Sequence, residues 1–227
     1  MRNRLFILLI CLLFAHHAQA QLGDLRNNFA VGINGGVNMN SVSFSPTVKQ
    51  NSLMGITGGI TARYISEKYF SMICGAQLEV NFSQRGWDEF YEDFPDLKYT
   101  RTMNYVEIPF LAHIAFGKEP RGVQFFIHAG PQIGFFLSDS ATFSDNWDTV
   151  SGGVTEQHKL PVEHKFDYGI AGGAGFELRT KAGNFIVEGR YYYALSDFFG
   201  NTKKDYFGRS AHMGPSIKIG YLFDITK

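Results

Sequence analysis

Length, composition and charge exclude several protein classes at the outset. The chain has 227 residues, of which 44% are hydrophobic and 19% charged, so we expect one folded domain, or two at most, and not a disordered chain. Its 21 basic residues balance 21 acidic ones, which disfavours a nucleic-acid binder held by bulk positive charge. The 22 Phe, 11 Tyr and 25 Gly favour many strands and tight turns over a helical bundle.

The first twenty residues have the layout of a secretory signal peptide. Two arginines precede an apolar run over residues 5–15, and residues 18–20 read Ala-Gln-Ala, the small-residue pattern that signal peptidase recognises. The run is too short to cross a bilayer as a helix. We therefore predict a signal peptide over residues 1–20. Its cleavage leaves Cys74 as the single cysteine, so no intrachain disulfide is expected.

Beyond a short segment over residues 21–28, apolar and polar side chains alternate in eight stretches. In residues 185–196, Phe185 and Val187 share one face, whereas Glu188 and Arg190 share the other. Successive side chains of a strand point to opposite faces, so this period of two predicts strands. We predict strands over residues 29–39, 54–65, 73–83, 104–116, 123–137, 166–179, 185–196 and 211–225.

The connections between these strands alternate in length. The short connections cover residues 66–71, 117–122 and 180–184, and the long ones cover residues 40–53, 84–103, 138–165 and 197–210. Short turns at one end and long loops at the other are typical of outer-membrane barrels, whose turns face the periplasm. The predicted fold is all-β: an eight-stranded antiparallel up-and-down transmembrane β-barrel over residues 29–227. We expect residues 21–28 and both termini in the periplasm, and the long loops outside the cell.

A soluble lipocalin-like barrel is the alternative, because it would hide its apolar face inside. Three features favour the membrane arrangement. The apolar faces carry essentially no charge and are too bulky for the interior of eight strands. The polar faces are rich in Gly, Ala, Thr and Asn, which suit a crowded lumen, and aromatic residues gather near strand ends, where membrane interfaces lie. The sequence therefore predicts an integral outer-membrane protein in contact with lipid.

The same alternation predicts which charged side chains enter the lumen. Unpaired charges in a narrow barrel would be costly, so these groups are expected to pair. Because eight strands leave no continuous aqueous channel, a closed polar lumen is favoured over an ion or proton path. The predicted charge network consists of Arg63, Glu79, Glu107, Asp167, Glu177, Arg179, Glu188, Arg190 and Lys218. Within this network, we expect Glu107 to pair with an inward-facing arginine, with Arg63 and Arg190 as the preferred candidates.

Catalytic and metal-binding patterns give no candidate site. Ser210 and His212 share a strand face, but no nucleophile elbow or oxyanion loop accompanies them. His158, Glu163 and His164 match no zinc spacing. The acidic stretch over residues 88–96 lacks the ligand arrangement of a calcium loop, so a solvated outer loop is expected there. We accordingly expect no enzymatic activity, no cofactor and no resident metal.

Four segments together resemble the PorT-type outer-membrane β-barrel family. They read NYVEIP at residues 104–109, AGPQIG at 129–134, FDYG at 166–169 and EGRY at 188–191. The resemblance extends over about residues 29–225 and implies a barrel in the Gram-negative outer membrane. The namesake of the family is associated with type IX secretion, whereas most similar barrels have no assigned activity. The last strand is also similar to the signal that the barrel assembly machinery reads, through Gly220, Phe223 and Ile225.

Two functions are compatible with these features. The first is a structural or interaction barrel of the envelope, with a link to type IX-like secretion implied by the resemblance and a protein partner bound through the long loops. The second is a narrow passive channel for ions or small solutes. A lipid-modifying enzyme is disfavoured because no nucleophile or general base can be nominated, and no nucleic-acid partner is expected.

Overall fold

A computed structural model describes residues 24–92, 94, 96–147, 155–202 and 204–226. The predicted signal peptide lies outside these residues. The strands are β1 (Asp24–Ser45), β2 (Gln50–Asn51), β3 (Leu53–Tyr69), β4 (Met72–Phe90), β5 (Lys98–Gly117), β6 (Gly122–Phe143), β7 (Phe166–Arg179), β8 (Asn184–Ala194) and β9 (Arg209–Asp224), with a 3₁₀ helix over Glu156–Lys159. Within the described part of the chain, helical segments are too short or too polar to cross a bilayer.

The sheet closes on itself. Each long strand pairs antiparallel with the next one along the chain, β1 also pairs with β9, and the two-residue β2 pairs with β4. The eight long strands therefore form a ring in the order β1, β3, β4, β5, β6, β7, β8 and β9. Closure removes the unpaired edges that an open sheet would expose. The predicted eight-stranded antiparallel barrel is confirmed.

The two ends of the barrel differ. At one end, which we call the turn end, the chain reverses through residues 70–71, 118–121 and 180–183, and the described chain termini also lie there. At the other end, the loop end, the connections are longer and pack on one another.

The strands are longer at the loop end than the sequence predicts. β4 continues to Phe90, β5 begins at Lys98 and β6 continues to Phe143, so residues 84–90, 98–103 and 138–143 are strand and not loop. At the turn end, β1 begins at Asp24, so residues 24–28 are strand as well. The apolar alternation that guided the prediction stops where the lipid-facing band ends. Backbone pairing of β4 with β5 continues past it, and Arg85, Trp87 and Glu89 on this extension are buried inside the barrel.

The outer surface carries a continuous band of exposed apolar side chains. Ile33, Ile60 and Ile219 are more than 60% exposed, at 65%, 62% and 64%, and each lies on the face that the alternation predicts to meet lipid. The interior has three layers. A small apolar plug lies just inside the turn end, buried charged side chains occupy the middle, and an aromatic cluster fills the loop end.

Candidate functional site

The interior of the barrel holds the chemistry-bearing side chains, and its first ion pair joins opposite walls. Arg63 on β3 donates two hydrogen bonds to the Glu177 carboxylate on β7, at 2.5 and 2.7 Å. β3 and β7 are four strands apart in the ring of eight, so the pair spans the lumen. Both side chains are almost fully buried, at 2% and 0% exposure. Arg179 pairs with Asp224 at 3.2 Å, nearer the turn end.

A second cross-lumen group centres on Glu79 of β4. Its carboxylate accepts two bonds from Arg190 on β8, at 3.0 and 2.7 Å, and one from Lys218 on β9 at 2.6 Å. Gln77 and Asn81 donate to the same carboxylate at 2.7 and 2.8 Å. Two cations and two amides thus compensate the burial of this carboxylate, which would otherwise be costly.

Two histidines continue this group along the inner wall. Arg190 also donates to Glu188, at 2.9 and 2.8 Å. His128 Nδ1 lies 3.1 Å from Glu188 Oε1, and His128 Nε2 lies 2.7 Å from His113 Nδ1. The side chains from Lys218 to His113 are therefore joined by hydrogen bonds without interruption.

Glu107 pairs with an inward arginine, as predicted, but the preferred partners Arg63 and Arg190 are wrong. Glu107 accepts a bond from Arg85 Nε at 2.6 Å, and the same guanidinium donates to Asp167 at 2.6 Å. The sequence prediction missed Arg85 because it placed the residue in a loop. Arg85 nevertheless has the inward parity of Gln77 and Glu79 on the same strand, and this is the signal that could have identified it.

Asp167 has two further donors. Tyr192 and Ser196 donate hydroxyl hydrogen bonds to it at 2.7 and 2.5 Å, while the Arg85 guanidinium lies 4.3 Å from the centroid of the Tyr192 ring. The structure therefore places every side chain of the predicted charge network inside the barrel. It divides them into three groups, around Glu177, Glu79 and Arg85, and does not form one continuous network.

An aromatic cap, for which the alternation pattern gives no signal, fills the loop end. Trp87 stacks on Phe198 with ring centroids 5.7 Å apart, and Arg101 lies over Phe199 at 5.3 Å. Arg101 also pairs with Asp139 at 2.6 Å. The buried members of the cap are Val42, Phe44, Trp87, Leu97, Tyr99, Met103, Tyr105, Trp147, Phe198, Phe199 and Phe207.

A buried carboxylate attaches the segment that begins at Thr155 to this cap. Glu89 accepts hydrogen bonds from Trp87 at 3.1 Å, Tyr91 at 2.5 Å and Gln157 at 3.1 Å, and His158 Nε2 lies 3.2 Å from it. Burial raises the pKa of Glu89, but the hydrogen bonds from His158, Tyr91 and Trp87 outweigh burial and leave the pKa below its usual value. Glu89 lies beyond the lipid-facing band, at the loop end.

The other candidates from the sequence have ordinary structural partners. Ser210 Oγ accepts the backbone N–H of Phe199 at 3.0 Å, whereas His212 stacks on Phe198 at 4.6 Å and contacts Tyr105. Asp88 and Glu89 lie in β4, so the expectation of an acidic outer loop is wrong for that part of the stretch. Across the described ranges, no three His, Cys, Asp or Glu side chains form a group that could hold a metal ion.

The residues of the predicted assembly signal lie at the end of the last strand. Gly220 and Phe223 belong to β9, and Ile225 follows it directly. The Phe223 and Ile225 side chains are exposed on the lipid-facing side. The backbone N–H of Ile225 donates to the carbonyl of Phe29 at 2.7 Å, which continues the pairing that closes the barrel.

Little space remains between the plug and the cap. The plug consists of Ala30, Ile65, Ile73, Ala115, Phe126, Ile186 and Leu222. Above it, a cavity of about 30 Å³ lies among Arg85, Glu107, Arg190 and His212, which is room for about two water molecules. A larger cavity of about 680 Å³, the vestibule, opens on the other side of the plug, at the turn end.

Comparison with known proteins agrees with this architecture. The family model described as "Outer membrane protein beta-barrel domain" matches residues 18–200. No curated protein sequence matches the chain. The crystal structure of OprG from Pseudomonas aeruginosa is similar, with 11% identity, a TM-score of 0.52, and coverage of 88% of this chain and 98% of that chain.

Neisserial surface protein A (NspA) also matches, with 14% identity over 86% of this chain and 97% of that chain, at a TM-score of 0.42. At these identities, the likeness to OprG concerns the fold. Because the family model matches most of its length, the chain belongs to the outer membrane protein beta-barrel domain family. The closed ring, the apolar outer band and the likeness to OprG agree with this, and the chain is an integral outer-membrane barrel.

Proposed function

We propose that this barrel is a non-conducting structural or interaction component of the outer membrane. The observation that carries the proposal is the filled interior. The apolar plug and the aromatic cap stand at opposite ends, cross-lumen ion pairs lie between them, and the cavities among these pairs measure only about 30 and 10 Å³. A hydrated ion or small solute needs a continuous wide path, which an eight-stranded barrel filled by side chains does not offer.

The orientation and the partner are parts of the same proposal. The loop end faces the outside of the cell and the turn end faces the periplasm, because short turns on the periplasmic side are the rule for such barrels. Exposed aromatic side chains at the loop end, Phe94 at 49% and Tyr206 at 50%, support binding of an envelope protein there, since aromatic residues are enriched at interfaces.

The resemblance to PorT-type barrels supports a narrower assignment. On this basis the barrel is a component of an envelope assembly such as a type IX-like secretion apparatus. The barrel assembly machinery is its expected partner during insertion, through Gly220, Phe223 and Ile225. The proposal assigns no catalytic step to the chain, because the buried acids, bases and hydroxyls described above are engaged with one another.

Planar-bilayer recording tests the closed lumen. We expect no stable single-channel openings from the purified, folded protein. A double variant, Arg63→Ser with Glu177→Ser, removes one cross-lumen pair and is also expected to stay closed, because the plug and the cap are still present. Stable openings of the parent protein would contradict the proposal and establish the narrow passive channel in its place.

A further inference from the structure

The vestibule at the turn end is a blind pocket. It measures about 680 Å³, within the range of about 300–1,000 Å³ that is usual for ligand pockets. Ile65 and Ile73 line its inner side, and both belong to the plug. A molecule that enters from the turn end therefore meets a closed floor and cannot pass through the barrel.

The charged lining of the vestibule is mostly basic. Four cationic side chains, Arg26, Arg121, Arg179 and Lys181, share the pocket with two carboxylates, Glu119 and Asp224. Both carboxylates already have partners. Glu119 accepts a bond from Arg26 at 2.6 Å and also pairs with Lys68, and Asp224 accepts bonds from Arg179 at 3.2 Å and Asn184 at 2.8 Å.

Two of these four cations have no carboxylate partner in the vestibule. Among the described residues, Arg121 and Lys181 have no ion pair and no side-chain hydrogen bond. Gly122 is paired with Arg179 across β6 and β7, so Arg121 and Lys181 lie on neighbouring turns at one side of the mouth. Two cations on neighbouring turns, both without internal partners, are available to bind carboxylates of another molecule.

The apolar part of the vestibule lining narrows the class of ligand. Ile65, Ile73 and Pro120 add apolar surface beside the cations, which a small inorganic anion would leave uncovered. A phospholipid headgroup fits less well, because Arg26, Arg179 and the two isoleucines line the inside of the mouth and not the outer wall. An acidic peptide with apolar side chains matches both parts of the lining, as in other cases where basic clusters recognise acidic motifs.

We propose that the vestibule docks an acidic peptide segment of a periplasmic protein. Arg121 and Lys181 bind its carboxylates, and Ile65, Ile73 and Pro120 contact its apolar side chains. The periplasmic location of this partner rests on the barrel orientation given under the proposed function. The preference of the pocket for an acidic peptide does not depend on that orientation. The loop end and the turn end would then carry two separate interaction surfaces.

Peptide binding to the full-length barrel in phosphatidylcholine nanodiscs tests the proposal. The probes are a fluorescent peptide of alternating Glu and Leu and a matched peptide of Gln and Leu. We expect the Glu peptide to bind more tightly and to weaken as salt is raised, because salt screens accessible charges. The double variant Arg121→Gln with Lys181→Gln should weaken its binding about tenfold, since two charge-assisted hydrogen bonds from exposed side chains are lost.

A second double variant, Lys118→Gln with Lys98→Gln, is the matched control. It removes the same charge, but Lys118 lies on the same turn as Arg121 without lining the vestibule, and Lys98 lies at the loop end. We expect it to bind the Glu peptide as the parent does. Heat-shifted gel mobility shows that each variant is folded.

Several results would overturn the proposal. These are equal binding of the two peptides, unchanged affinity of the Arg121 and Lys181 double variant, and loss of affinity in the matched control. Displacement of the peptide by millimolar inorganic phosphate alone would indicate a simple anion site. Enrichment of phosphatidylglycerol around the parent but not around the double variant, without peptide binding, would indicate a lipid site. None of these results depends on conductance, so the proposal of a closed lumen is tested separately by the planar-bilayer recording.

Discussion

The ion pairs of the interior connect residues that are far apart along the chain. Arg63 and Glu177 are separated by 114 positions, and Arg190 and Glu79 by 111. Each pair joins strands on opposite sides of the ring, so each one holds two walls together as well as neutralising buried charge. A buried pair contributes little net stability when intact, but removing one partner leaves an uncompensated charge.

Arg85 is the residue at which this effect should be largest. Arg85→Leu leaves the buried Glu107 and Asp167 without their shared cation, so we expect the free energy of unfolding to fall by about 3–5 kcal/mol. Urea unfolding in lipid vesicles measures it. Lys98→Gln, at an exposed position, is the control, with an expected change within about 0.5 kcal/mol.

A compensating variant separates the effect of the unpaired carboxylate charges from the effect of the changed side-chain shape at position 85. Adding Glu107→Gln and Asp167→Asn to Arg85→Leu removes the two unpaired carboxylates and should restore part of the lost stability. An Arg85→Leu protein as stable as the parent would show that these carboxylates do not need the guanidinium.

Between neighbouring strands, inward-facing glycines allow close approach. A Cβ added at Gly36 of β1 would lie 2.0 Å from the carbonyl oxygen of Ile217 on β9, and one at Gly59 would lie 2.0 Å from that of Val80. At Gly189, which faces outward, an added Cβ meets nothing within 4 Å. The small residues of the polar face therefore make room for neighbouring backbone as well as for larger lumen side chains.

This contrast predicts opposite outcomes for one substitution. Gly36→Ala forces β1 and β9 apart and should destabilise the barrel by about 1–3 kcal/mol, as other cases of overpacking do. Gly189→Ala should leave stability unchanged or raise it slightly, because glycine is entropically unfavourable in a strand. Urea unfolding of both variants measures the difference. Equal effects at the two positions would contradict the close approach of β1 and β9.

The attachment of the 155–160 segment to β4 should depend on pH. The pKa of Glu89 is lowered in the folded protein, so its ionised form stabilises the cap fully above about pH 4.3, the ordinary value for glutamate. The contribution is lost as the pH falls through the lower folded value. Both tryptophans of the chain, Trp87 and Trp147, lie in the cap, so their emission should shift to longer wavelength in that acidic range.

Glu89→Gln supplies the control for this titration. The amide cannot titrate, so the acid-dependent shift of tryptophan emission should disappear in the variant. If the shift persists unchanged in Glu89→Gln, another group controls the cap. Tyr91, Tyr99 and His158 are the other titratable side chains in contact with or near Glu89.

At the scale of the whole molecule, the barrel has two chemically different ends. The loop end is closed by the cap and its exposed aromatic residues. The turn end is an open basic vestibule that the plug closes on its inner side. The lipid-facing band between them holds the protein in the membrane. Any exchange with partners must therefore take place at the two ends.

Thiol labelling in intact cells tests which end faces outward. Cys74 is a free cysteine, so the background carries Cys74→Ala. A cysteine in place of Asn201, exposed at the loop end, should react with a membrane-impermeant maleimide. One in place of Ala182, exposed at the turn end, should react only after the outer membrane is permeabilised. The reverse pattern would contradict the proposed orientation.

The sequence by itself determined the eight strands, the lipid-facing band and the inward side of each charged residue that it placed in a strand. These follow from an alternation with period two, which is a local property of strands. Glu79, Glu177 and Arg190 could be assigned to the lumen in this way. Arg85 lies beyond the predicted end of its strand, because the apolar half of the alternation ends at the edge of the band, and only its inward parity points to the lumen.

Only the tertiary structure decided which charges meet, how far the strands extend and how each end is closed. Alternation states which side a residue faces, but not its height in the barrel or the residue across from it. Those depend on strand register and on ring closure between β1 and β9, which bring residues more than one hundred positions apart into contact. The aromatic cap and the basic vestibule arise in the same way, because each is assembled from several connections that meet only once the ring is closed.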